Sequence, residues 1–80
     1  MSDERQKSLI HMQVGQSGVI VEIQGGHTII DRLSVLGIRP GQRVTKVGSM
    51  VMHGPVTLEV DRTQVAVGFG MASKIVVEPD

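Results

Sequence analysis

The sequence predicts a mainly β domain: a small antiparallel barrel or sandwich of five to six short strands, with one short helix. Three observations predict it. The apolar residues are overwhelmingly Val, Ile, Leu and Met, with Phe69 the single aromatic of the Phe/Trp/Tyr set, so the core must be aliphatic and rich in strand-favouring types. Several runs alternate apolar and polar residues with period two. Turn signals recur at the spacing of about 8–12 residues that short-stranded β domains show.

In chain order, residues 1–7 are polar and mixed in charge and read as a disordered tail, leaving residues 8–80 as a single domain. Residues 8–14 suggest a first short strand ended by Gly15. In residues 17–24, Val19, Val21 and Ile23 fall on one face, with Glu22, Gln24 and also Ile20 on the other. Gly25-Gly26 then breaks the strand. A helix over residues 28–36 follows, because Ile29, Leu33 and Leu36 recur at i, i+4 and i+7. Thr28 suits its N-cap, and Asp31 then lies near the positive end of the dipole. Gly37 suits the C′ position, where φ is positive, and Pro40 forbids continuation. Pro40-Gly41 is a turn in its own right. So short a helix cannot stand alone and must pack on the strands.

Residues 42–47 form the next strand, closed by Gly48. In residues 55–60, Val56, Leu58 and Val60 alternate against Thr57 and Glu59. Asp61-Arg62-Thr63 reads as a hairpin turn returning into residues 64–67. Residues 68–72 suit a single helical turn, and residues 73–78 the last strand. Closing the sheet protects edges that so small a domain cannot otherwise cover, and the helix then caps an open end or packs over an edge.

Composition narrows function. Eight basic and eight acidic residues give zero formal net charge, and stacking aromatics are lacking, which disfavours nucleic acid as a partner. There is no cysteine and therefore no thiolate metal site. The N-terminal residues lack an apolar signal segment and no run spans a membrane, so a cytoplasmic location is expected, with no direct membrane insertion. His11, His27 and His53 have no chelate spacing, so no metal ligand and no cofactor is assigned. Gly68-Phe69-Gly70 and Gly25-Gly26 complete no phosphate-binding motif, and no nucleophile elbow is present; the chain does not read as an enzyme. What remains is surface. Arg32, Arg39 and Arg43, with Lys46 further on, surround the helix end as a basic, partly apolar docking patch. Met50 and Met52 in the loop before His53 offer adaptable apolar contacts. The candidate partner-binding set is Arg32, Val35, Arg39, Met50, Met52 and His53.

The run RLSVLGIRPGQRV, through Arg32, Leu33, Leu36, Gly37, Ile38, Pro40, Gly41 and Val44, resembles the R-L-x-x-L-G-I-x-P-G-x-x-[VI] hallmark of the ferrous iron transport protein A (FeoA) family. VGQSGVIVEI, HGPVTLEV and VAVGFGMASKIVV resemble that family's opening, middle and closing strands, in order, so the likeness covers about residues 9–78. The resemblance implies an SH3-like small barrel. It also implies a small cytosolic accessory protein of bacterial ferrous-iron uptake, acting on the cytosolic part of a permease that carries a GTP-binding domain. Apart from the resemblance, five or six short strands leave edges that two copies could pair, so a monomer or weak homodimer is expected. Alternatives are a divalent-metal sensor taking an ion such as Fe²⁺, or a regulatory barrel working with a metal-dependent repressor, where the same barrel occurs.

Overall fold

The computed structural model describes residues 5–49 and 53–80. Its elements are β1 (Lys7–Ser8), a 3₁₀ turn (Leu9–His11), β2 (Ser17–Ile23), α1 (His27–Val35), β3 (Arg43–Ser49), β4 (Val56–Val60), β5 (Thr63–Val67), α2 (Phe69–Ala72) and β6 (Ile75–Pro79). The strands form one antiparallel sheet in the order β1-β6-β2-β3-β4-β5. Leu9, Met12, Ile20, Ile23, Leu33, Ile38, Val44, Leu58, Val67, Ala72, Ile75 and Val77 belong to a single buried cluster, so the sheet wraps one core in the manner of a small barrel whose edges, β1 and β5, are not joined.

The N-terminal segment departs from expectation. Lys7 pairs with Val77, so the tail gives up its last residue to the sheet. The expected strand over residues 8–14 does not form beyond Ser8. Leu9 and Met12 are both buried, and their spacing of three suits a 3₁₀ turn, whereas in a strand they would face opposite ways.

In β2 the inward residues are Ile20 and Ile23, with Val19 and Val21 only half-buried; Ile23 faces inward as expected, but the face is reversed at residues 19–21. A bulge explains it. Ile20 pairs with Val77 and Glu22 with Val76, so Val21 is an extra residue and the two isoleucines, three apart, both reach the core. A second bulge in β3 sets Lys46 opposite Leu58 and Gly48 opposite Thr57.

Helix α1 starts at His27 with Gly26 as N-cap and no side-chain cap; Thr28 lies inside the first turn, and Asp31 lies beyond it. Leu36 does not share the core face either; it is 42% exposed. The helix ends in a Schellman motif. The Ile38 N–H donates to the Leu33 carbonyl and the Gly37 N–H to the Ser34 carbonyl, both at 2.9 Å, with Gly37 at φ 86°. This turn swings Ile38, fully buried, into the place Leu36 was expected to fill. A β-turn follows at once. The Gln42 N–H donates to the Arg39 carbonyl at 3.1 Å across Pro40 and Gly41, whose φ of 92° makes the turn type II. Asp61 and Arg62, at φ 48° and 68°, form a two-residue type I′ hairpin turn, and Thr63 already pairs with Val60.

Candidate functional site

The C-terminal end of α1 presents the most exposed large hydrophobic side chain among the described residues. Leu33 points into the core, so the helical phase puts Arg32 and Val35 outside, and Val35 is 86% exposed. Leu36 lies beside it at the helix end, and Arg39 follows on the exposed turn after the buried Ile38. Arg32 occupies the last turn, where a cation suits the negative end of the dipole. Arg32, Val35 and Arg39 thus share one exposed helix terminus, joined by Leu36, a residue the sequence pattern assigned to the core.

The second half of the candidate set is placed only at His53, since Met50 and Met52 lie outside the described residues. His53 takes a positive φ of 64°, and its ring stacks on Phe69 of α2 with centroids 4.4 Å apart and planes 27° apart. The loop end is therefore engaged with α2 through the chain's lone Phe, a pairing that no sequence spacing reveals.

The expected basic patch is smaller than the sequence suggests. Arg43 pairs with the Asp80 carboxylate at the end of β6. Lys46 is 4% exposed and no part of any surface. Its ammonium donates to three main-chain carbonyls, those of Met12 at 2.7 Å and of Leu9 and Ile10 at 3.3 Å each. The signal was present in the sequence: Lys46 follows Val44 by two residues on β3, and so shares its inward face.

Burial pushes the Lys46 ammonium below its ordinary value of 10.5. The folded protein therefore binds fewer protons than the unfolded chain in the pH window just below 10.5, and this group's contribution to stability rises as pH climbs through that window. Lys46→Met leaves buried carbonyls without their donor and is expected to cost about 1–3 kcal/mol. Urea unfolding of both proteins from pH 8 to pH 10.5 checks both points: the stability gap between wild type and variant should widen with pH.

Among the described residues, no group of three or more His, Asp or Glu could hold a metal ion, and no helix is long and apolar enough to cross a membrane.

Comparison with known proteins matches this architecture. A crystal structure of the iron uptake regulatory protein FeoA is 31% identical, with a TM-score of 0.85, over 94% of this chain and 97% of that one. An FeoA protein from Chlorobium tepidum is 15% identical, with a TM-score of 0.80, over 89% of this chain and 68% of that one. A manganese-dependent transcriptional repressor shares the fold at 18% identity and a TM-score of 0.87; the likeness covers 98% of this chain but 44% of the repressor. No curated protein sequence matches. The FeoA domain family model matches residues 7–79, and with nearly the whole chain inside that match the protein belongs to the FeoA domain family.

Proposed function

We propose that the protein is a non-enzymatic regulatory component of bacterial ferrous-iron uptake, docking on the cytosolic part of a membrane permease that carries a GTP-binding domain. The observation that carries this reading is the solvent-facing Val35 and Leu36 between Arg32 and Arg39. An apolar centre rimmed by arginines suits a protein interface whose facing surface is acidic. The open depression lined by Arg5, Lys7, Gln16, Pro79 and Asp80, about 290 Å³, is at the low end for a small-molecule site, which supports an interaction role. On this reading the protein works in the cytoplasm, at the inner face of the membrane.

Calorimetric titration with the soluble GTP-binding part of the permease tests it. Val35→Asp, and separately Arg32→Glu with Arg39→Glu, should each weaken binding at least about tenfold, roughly 1.4 kcal/mol. The arginine effect should shrink in high salt. Arg43→Gln serves as the control and should bind as wild type. Folded variants with unchanged affinity sink the reading.

A second reading, a barrel that works beside a DNA-binding repressor subunit, rests on fold likeness to the repressors alone. Co-purification with such a repressor, abolished by the same substitutions, would favour it.

A further inference from the structure

The two edges of the sheet are protected unequally. Edge β1 is two residues long and carries Lys7, and beside it Arg5 pairs with Glu78 of β6 at 3.2 Å. Short length and charge are the usual means of blunting an edge. Edge β5 has neither. It is five residues, TQVAV, with no charge and no proline, and its pairing with β4 runs without the register shifts that mark β2 and β3.

The hairpin geometry fixes which main-chain groups of β5 face outward. A two-residue turn closes on a hydrogen-bonded pair, here Val60 and Thr63, so Leu58–Val65 and Val56–Val67 are bonded pairs as well. The N–H and C=O groups of Gln64 and Ala66 then point away from β4. Both residues are exposed, and among the described residues β4 is the only strand paired with β5.

We infer that β5 is a self-complementary edge that pairs two copies of the chain antiparallel about a two-fold axis at Val65. In that register Gln64 meets Ala66 of the second copy and Ala66 meets its Gln64, which joins every outward group in four main-chain hydrogen bonds. The side chains agree. Thr63 falls opposite Val67, and Arg62, the one charge flanking the strand, falls opposite Gly68, so no like charges meet. Zero formal net charge adds no long-range repulsion between copies. An edge this short buries less than a standard interface, so the dimer is weak and forms at high local concentration.

The test is sedimentation of the full chain from micromolar to millimolar concentration, with amide hydrogen exchange over the same range. The expected result is a mass rising from 8.6 kDa toward twice that value. Protection should grow with concentration at the Gln64 and Ala66 amides, while the Val65 amide, bonded within one copy, does not change. Gln64→Lys with Ala66→Lys places lysines opposite each other twice and should raise the dissociation constant at least tenfold. Ala66→Pro removes only an outward donor and should do the same, with the monomer still folded. A chain monomeric at millimolar concentration overturns the inference. So does a dimer that leaves Gln64 and Ala66 unprotected, or one that tolerates the lysines. If those amides are protected only by an added extended peptide, the edge belongs to a foreign strand and self-pairing is wrong.

Discussion

Leu33→Ala is expected to be the most damaging single truncation of the helix. Leu33 is fully buried and is the one residue of α1 that is. Its side chain anchors nine helical residues that would be marginal alone, and its carbonyl accepts the Ile38 N–H that closes the Schellman motif. Truncating a buried leucine to alanine costs about 2–5 kcal/mol. For a domain of this size each kcal/mol lowers Tm by about 4–8 °C. Thermal and urea unfolding followed by circular dichroism reads the effect directly. The comparison is Val35→Ala on the same helix, exposed and expected to stay within about 0.5 kcal/mol of wild type. Comparable losses from both, or a Leu33→Ala loss below 1 kcal/mol, would mean that α1 is not held as the structure has it.

Gly18→Ala is the second. Gly18 lies in β2 between β3 and β6, pairing with Val44 on one side and Pro79 on the other. A Cβ there would meet the Glu78 carbonyl oxygen at 2.6 Å, Val77 Cγ1 at 2.7 Å and the Pro79 Cα at 2.8 Å. Two of the three are backbone atoms, so no rotamer change relieves the clash and β6 must move. Overpacking of this kind costs about 1–3 kcal/mol, occasionally more. The displacement should show first where β6 ends, at the Asp80 N–H, which donates to the Ser17 carbonyl at 3.0 Å. Amide exchange at Asp80 should accelerate out of proportion to the global loss. Full stability in Gly18→Ala would contradict the β2–β6 packing. Gly48→Ala, also inside a strand, where the added Cβ meets only the Thr57 side chain at 3.8 Å in ordinary contact, is the matching control.

What could be read from sequence is set by how local its physics is. Gly37, Pro40-Gly41 and the alternation of Val56, Leu58 and Val60 act within a few residues, and each does in the structure what its chemistry requires. The 3₁₀ turn at Leu9, the inward face of β2 and the fate of Leu36 depend on bulges and a helix stop that tertiary packing selects, so periodicity alone assigned them wrongly. Thr28 looked like a cap because its residue type favours that position, but the chain enters the helix at Gly26 instead. Of the candidate surface, Arg32 and Val35 follow from the helical phase once Leu33 is inward. Lys46 was misread because a lysine defaults to solvent, and only its three carbonyl partners, all more than thirty residues away in sequence, permit otherwise.

That cage also bears on the order in which the chain can assemble. The ammonium of Lys46 can shed its water only when residues 9–12 have arrived to replace it, and those residues are separated from it by β2 and α1. Closing so long a loop is entropically costly and gives little return until the whole constellation is present. Residues 9–12 and the third strand therefore order together, and deleting residues 9–12 would leave the Lys46 ammonium inside the barrel without its three carbonyl partners.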